Sequence, residues 1–162
     1  MEAAGGAADA AQQRTYYIAA QQVTWDYAPA GADLCDGTAT GSAFTDAQLT
    51  YVGHSAHSVG SKYEKAVYRQ YTDDSFETEV PAPAGHGLLG PLLTANVGDR
   101  LRIVFKNRMS VMAVNLALDG GLVALSGPGT AGSVAAGKEA EPEVPLVAPD
   151  ETVTYEYLIP PR

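Results

Sequence analysis

Residues 97–107, VGDRLRIVFKN, carry the clearest secondary-structure signal in the chain. Val97-Gly98-Asp99 has the composition of a turn, and Leu101, Ile103 and Phe105 then alternate with mostly basic neighbours. A period of two is typical of a strand that buries one face and leaves the other in solvent. We therefore predict a half-buried strand with a polar outer face, and with these three apolar side chains in the core.

Three other segments combine aromatic and β-branched residues in a way that favours strands. Residues 15–27 suit one long strand, or two strands joined by a bulge, because the apolar parity changes along the segment. Residues 62–71 fit a helix or a strand by spacing, and the strand-rich context favours a strand. Residues 152–159 alternate again. The inward set of this last segment is Val153, Tyr155 and Tyr157.

The remaining segments contain many turn-forming residues. Residues 28–62 predict a long surface excursion, with a short strand near residues 49–52. Residues 111–118 alternate like a strand, and residues 126–150 predict a loop because Gly and Pro interrupt them repeatedly. The apolar face of the 111–118 segment holds Met112, Val114, Leu116 and Leu118.

Length and composition limit the fold. The chain has 162 residues, enough for one domain, and its 17 Gly and 10 Pro favour turns over a helical bundle. Strands separated by turn-rich loops predict an all-β sandwich or barrel. Residues 1–14 are small and polar, so we expect a flexible N-terminal tail followed by a single domain over residues 15–162.

Charge and hydropathy exclude several kinds of partner. The net charge is -9, which is the wrong sign for a general nucleic-acid surface. An apolar run of about 18 residues is absent, so we predict no membrane span, and the first residues lack the features of a signal peptide. The single cysteine, Cys35, excludes an intrachain disulfide and a multi-cysteine metal site.

Few residues offer metal-ligating or nucleophilic chemistry. His54 and His57 form an H-x-x-H pair that could ligate zinc or copper together with Cys35, although solvated loop histidines are the more frequent case. His86 lies in a Gly-His-Gly turn, where a surface position is expected. Cys35 lies between acidic residues and lacks a positive neighbour that would activate its thiol.

Two acidic clusters could bind calcium through carboxylate oxygens. Asp73 and Asp74 are adjacent, and Glu139, Glu141 and Glu143 alternate in the long loop. Clusters of this kind are more often solvated turns or loops, so both interpretations stay open.

Four segments occur together in a recognisable order: TYYIAAQQVTWDYAP (15–29), KYEKAVYRQYTDDSF (62–76), GLLGPLLTANVGDRLRIVFKNRMS (87–110) and APDETVTYEYLIP (148–160). They resemble the plastocyanin-like (cupredoxin) domains of the multicopper ferroxidase family, which includes ceruloplasmin, hephaestin and the A domains of clotting factors V and VIII. The most specific feature is G-L-L-G-P-L-L…V-G-D followed by F-K-N. The resemblance implies a Greek-key, cupredoxin-like β-sandwich.

The resemblance also implies a copper chemistry against which this chain can be compared. In the family, iron(II) oxidation uses a type 1 copper and a three-copper cluster, and the cluster takes its ligands from His-x-His pairs. One pair follows the F-K-N strand, and counting without gaps places its two positions at Leu116 and Leu118. Neither side chain has a lone pair, and a one-residue gap would place Asn115 or Ala117 there instead. We therefore expect a degenerate copper site and no copper in this chain.

Two other family features are altered. The proline-terminated strand at 155–160 is followed, in the family, by the last strands and by the type 1 Cys, His and Met ligands, whereas this sequence stops at Arg162. We therefore expect a sandwich that lacks its last one or two strands. The family's calcium loop maps near residues 126–147, where Pro142 and Pro145 occur in place of its Asp-Asp end. Calcium thus remains possible, but its ligand set is altered.

Three functional hypotheses follow. The first is a copper-free plastocyanin-like domain with a structural or protein-interaction role, which would not itself be catalytic. The second is a fragment or subunit of a multicopper ferroxidase whose coppers lie in other domains, and the third is a stand-alone metal-binding module. We expect a homo-oligomer or neighbouring domains as partners, with Leu116, Leu118 and Ile159 buried or at an interface along the 152–159 strand or its neighbour. The resemblance suggests an extracellular or cell-surface location.

Overall fold

The computed structural model describes residues 11–35, 37–38, 40–118, 121–128 and 145–161. Within these ranges the chain forms strands and a single short helix, so the all-β prediction is confirmed. The elements are β1 (Gln13–Asp26), α1 (Asp46–Val52), β2 (His54–Ser55), β3 (Ser58–Val59), β4 (Lys62–Tyr71), β5 (Arg100–Asn107), β6 (Val123–Ser126) and β7 (Thr152–Leu158). Among the described residues, no helix has the length and apolarity needed to cross a membrane.

Five of the strands form one mixed sheet in the order β4-β1-β5-β7-β6, and β2 pairs with β3 in a small antiparallel ribbon. β1 runs parallel to β5, with Ile18 beside Phe105, and β5 runs antiparallel to β7, with Phe105 beside Val153. β6 pairs antiparallel with β7 and shifts register between Ala124 and Ser126. β5 therefore lies at the centre of the sheet.

The chain divides into two compact units, Gln22–Ala66 and the combination of Met1–Gln21 with Val67–Arg162. The second unit holds the main core, and the expected inward residues of β5 and β7 contribute to it. The buried members of this core are Ile18, Ala20, Leu101, Ile103, Phe105, Met109, Leu116, Val147, Tyr155 and Tyr157. Organisation as a single domain over residues 15–162 remains a prediction.

The opposite face of β5 is also covered, which differs from the polar outer face expected from the sequence. Val104 is buried there against Ala19, Tyr71 and Phe76. Arg108 follows β5 and donates hydrogen bonds to the Tyr71 hydroxyl (2.8 Å) and to the Phe76 carbonyl (3.1 Å). The centre of β5 is therefore buried on both faces, and only its basic residues reach solvent.

Three boundaries and elements differ from the sequence-based expectations. β1 starts at Gln13, so Gln13 and Arg14 belong to a strand and not to the expected 1–14 tail. The 111–118 segment forms no strand; it makes one isolated antiparallel bridge, between Val114 and Val147. β6 lies in a segment for which no strand was expected.

A helix occupies the position of the short strand expected near residues 49–52. Thr45 caps α1: its hydroxyl accepts from the Gln48 amide (3.3 Å), and the Gln48 side chain accepts from the Thr45 amide (2.8 Å). This reciprocal pair is a capping box, which satisfies two backbone donors that the first turn would otherwise leave free. The capping chemistry outweighs the β-propensity of Thr50, Tyr51 and Val52.

Candidate functional site

The segment that follows β5 is positioned by Asn107, the last residue of the F-K-N motif. This side chain is fully buried, and its amide nitrogen donates to the carbonyls of Met112 and Val147, both at 2.9 Å. Its amide oxygen accepts from the backbone of Met109 at 2.9 Å. One buried side chain thus supplies hydrogen bonds that a regular strand would otherwise make, and it directs the 108–118 segment across the core.

Two more contacts fix this segment. The Val114 and Val147 backbones exchange hydrogen bonds of 3.1 and 2.7 Å. The Tyr68 hydroxyl donates to the Asn115 carbonyl at 2.5 Å. The backbone on both sides of residue 114 is therefore held, and the position of Leu116 follows from it.

Leu116 lies inside the main core, with 7% of its surface exposed, and Leu118 packs against the same core at its margin. These are the positions that the resemblance assigns to two imidazole ligands. Both side chains are aliphatic and contact other apolar groups, so the residues present here do not fit a copper ion. Burial raises the pKa of nearby Tyr155 and of Tyr157, so both phenols stay neutral across the physiological pH range.

The other metal candidates lie elsewhere. His54 is in β2, His57 follows in the turn before β3, and Cys35 is exposed in the preceding loop. Across the described parts of the chain, no group of three or more His, Cys, Asp or Glu side chains is close enough to hold a metal ion. His86 is half-buried in a turn, and its Nδ1 has no hydrogen-bond partner.

The first calcium candidate forms a self-contained turn. Asp73 accepts from the Ser75 amide (2.9 Å) and from the Ser75 hydroxyl (2.5 Å), and these bonds lower the pKa of its carboxyl. Asp74 is exposed beside it. The second candidate, formed by Glu139, Glu141 and Glu143, lies outside the described residues.

The structure brings together two of the three expected interface residues. Leu118 and Ile159 line a cavity of about 280 Å³, together with Leu93 and Leu122. The third, Leu116, is enclosed in the core. Within the described residues, the nearby strand β6 is an outermost strand of the sheet, and its Val123 and Leu125 are exposed.

Sequence reasoning missed the anchor at the start of β5. Asp99 is buried and accepts hydrogen bonds from the Arg14 side chain and from the amides of Gln12 (2.9 Å) and Asn96 (2.8 Å). The Arg14 bond is the largest cause that lowers the pKa of Asp99 to about 2. The V-G-D turn signalled this position, but its partner Arg14 lay in the expected tail.

No family model matches the chain. Ceruloplasmin of Rattus norvegicus is 35% identical over 150 residues, which cover 91% of this chain and 14% of that protein. Ferroxidase HEPHL1 of Homo sapiens is 41% identical over 96 residues, which cover 58% of this chain and 8% of that protein. Coagulation factor V of Bos taurus is 40% identical over 97 residues, which cover 59% of this chain and 4% of that protein.

These relatives are the proteins that the four sequence segments resemble, and the described strands form the all-β sheet expected of such a domain. The chain spans about one seventh of the ceruloplasmins it matches. The chain therefore belongs to the cupredoxin-like domains of the multicopper ferroxidase family.

Proposed function

We propose that this chain is a copper-free cupredoxin-like domain with a structural or protein-interaction role in a larger, ferroxidase-like assembly. The observation that carries this proposal is the pair Leu116 and Leu118, which occupies the positions assigned to copper-binding imidazoles with aliphatic side chains. A copper site of this family needs imidazole or thiolate donors, and the main core offers apolar groups at these positions. The domain would therefore contribute surface and scaffold, and not electron transfer.

The interaction role is supported by apolar surface at one end of the sheet. The cavity at Leu118 and Ile159 lies next to β6, which is an outermost strand of the sheet among the described residues and whose Val123 and Leu125 side chains are exposed. A sheet edge presents free N–H and C=O groups that can pair with a strand of another chain. A neighbouring domain or a second copy would cover both features in one contact.

A second candidate is that the chain is one piece of a working multicopper ferroxidase. It is supported by the small share of the relatives that the chain spans, 14% in the ceruloplasmins and 8% in ferroxidase HEPHL1. Iron(II) oxidation would then take place in sibling domains, and this domain would again be scaffold. In both cases the resemblance suggests an extracellular or cell-surface location.

The decisive experiment is copper reconstitution. Protein loaded with copper and then desalted should be colourless and should retain less than one copper per chain, because the described residues bring no Cys and His side chains together as a trigonal site. A variant with His54→Ala, His57→Ala and Cys35→Ser serves as the matched control. Stoichiometric copper that survives desalting in the wild type contradicts the copper-free proposal, and its loss in the variant would assign it to these three residues.

Two further measurements test activity and assembly. The isolated chain should not accelerate iron(II) oxidation above the background rate. A rate proportional to protein concentration in chelator-washed buffer would contradict this. Light scattering after size-exclusion chromatography should show an oligomer at micromolar concentration. A monodisperse 16.9 kDa species would argue against self-association as the way in which the β6 edge is covered.

A further inference from the structure

The unit Gln22–Ala66 contains a cavity that none of the family features uses. Its volume is about 570 Å³, and we call it the tyrosine pocket after its lining residues Tyr27, Tyr51, Tyr63, His57 and Lys65. The five residues come from the segment after β1, from α1, from the β2–β3 turn and from β4. All of them belong to one compact unit, so the pocket is formed within that unit.

The aromatic rings of the pocket are available to a ligand. Tyr51 is 77% exposed and Tyr27 is 55% exposed, which is unusual for large rings grouped around one cavity. Tyr27 and Tyr63 meet edge to face, with ring centroids 5.7 Å apart. Rings that are already ordered by such a contact can pack against another ring at little further cost in conformational entropy.

The polar groups of the pocket carry no negative charge. The Lys65 ammonium lies 5.3 Å from the Tyr27 ring centroid and 5.5 Å from that of Tyr63. Among the described residues, the ion pairs within 4 Å do not include Lys65. The lining contains no Asp or Glu, although the chain has 19 acidic residues and a net charge of -9.

The nearest carboxylates in the sequence accept hydrogen bonds from neighbouring groups, and one of these donors, Ser61, itself lines the pocket. Glu64 accepts from the Thr24 hydroxyl (2.6 Å) and from the Gln22 amide (2.9 Å). Asp26 is hydrogen-bonded by the Ser61 side chain and by the Ala28 amide, and these bonds lower the pKa of its carboxyl. Within the described residues neither carboxylate forms an ion pair with Lys65, whose ammonium lies against the Tyr27 and Tyr63 rings.

We propose that the tyrosine pocket binds a small carboxylate carried on a six-membered ring. The Lys65 ammonium and the His57 imidazole donate hydrogen bonds to the carboxylate, and the exposed faces of Tyr27 and Tyr51 pack on the ring. Sugar acids and aromatic acids share this chemistry, since both present an apolar ring face next to an anion. A free carboxylate also complements the charge of the Lys65 ammonium.

The test is a titration of the isotope-labelled full chain, followed by amide chemical shifts. Sodium glucuronate represents the sugar acids and sodium benzoate the aromatic acids, each up to roughly 50 mM. We expect one of the two acids to give saturable shifts, concentrated in residues 50–65. The acid that does so identifies the class of ligand, sugar acid or aromatic acid. Glucose and benzyl alcohol, which lack the carboxylate, should bind about tenfold more weakly.

Matched variants separate the pocket from general charge effects. Lys65→Met should raise the dissociation constant about tenfold, whereas Lys62→Met removes the same charge three residues away and should change it less than about twofold. Tyr51→Ala, at an exposed position, should weaken binding without changing the rest of the spectrum. The proposal is overturned when neither acid produces saturable shifts, or when the two lysine variants weaken binding equally.

Discussion

Replacing Phe105 by Ala tests whether β5 is the centre of the core. The Phe105 side chain is 0% exposed, and its ring packs edge to face on Tyr68 at 5.8 Å and in a tilted arrangement on Tyr155 at 6.3 Å. It is flanked in the sheet by Ile18 and Val153. Because both neighbouring strands are held by the ladder, the site cannot collapse easily, and we expect a loss of about 3–5 kcal/mol in the free energy of unfolding.

The measurement is urea denaturation followed by circular dichroism and by the fluorescence of Trp25. With a slope of about 2 kcal/mol per molar urea, the midpoint should fall by roughly 1.5–2.5 M. Val111→Ala is the matched control, because Val111 is 87% exposed and its truncation should change the free energy by less than about 0.5 kcal/mol. An unchanged midpoint in the Phe105 variant, or equal losses in the two variants, would refute the assignment of the core face.

Three other substitutions test single contacts. The pKa of Asp99 is lowered from 3.8 to about 2, so its contribution to stability is complete above pH 3.8 and is lost as the pH falls through about 2. The difference in melting temperature between the wild type and Asp99→Asn should therefore shrink as the pH is lowered over that interval. Asn107→Ala removes the side chain that hydrogen-bonds the carbonyls of Met112 and Val147 and the Met109 amide. We expect the free energy of unfolding, measured by urea denaturation, to fall by about 1–3 kcal/mol. Asn96→Ala is the control and should have little effect, because the backbone bond from Asn96 to Asp99 remains. Thr45→Ala removes the cap of α1, at a local cost of about 0.5–2 kcal/mol, and should speed amide exchange in Asp46–Val52 while exchange in β5 stays unchanged.

The strands with a regular alternation were predictable from the sequence. β4 was expected at residues 62–71 and β7 at residues 152–159, and the structure has them at Lys62–Tyr71 and Thr152–Leu158. The alternation in residues 111–118 was misleading, because the Asn107 side chain binds the Met112 carbonyl and the segment pairs with the rest of the chain at one isolated bridge, from Val114 to Val147. Periodicity reports which side chains face inward, and it does not report where the backbone hydrogen bonds go.

Two other differences, the helix α1 and the buried outer face of β5, each had a signal in the sequence that we weighted less than strand propensity and alternation. Thr45 and Gln48 have the spacing of a capping box, which predicts a helix start immediately before the segment that was expected to be a strand. Val104 is apolar within the expected polar face of β5, and the structure covers it with Phe76 and Tyr71. A single apolar residue on an outer face was thus the only local sign of the second cluster.

The tyrosine pocket could not have been found by periodicity, because its rings come from separate segments. Tyr27, Tyr51 and Tyr63 are each unremarkable in their own segment, and α1 was not expected at all. Their grouping depends on a helix, a short ribbon and two strand ends meeting in one unit. The interpretation of Leu116 and Leu118, in contrast, came from the resemblance alone, and the structure adds that one is core and the other borders a cavity.

The segment after β5 also shows which of the chain's own contacts would hold it in the copper-free domain that we propose. A copper cluster would hold its ligand segment through metal–nitrogen bonds, and here the same stretch is held by Asn107, by the backbone bridge between Val114 and Val147, and by burial of Leu116. Burying a leucine side chain contributes about 1.5–3 kcal/mol, and the hydrogen bonds of a buried amide contribute about 1 kcal/mol each. These contributions offset part of the conformational entropy that is lost when the segment is ordered against the core. The leucines at the positions that the resemblance assigns to copper ligands are therefore compatible with an ordered segment after β5.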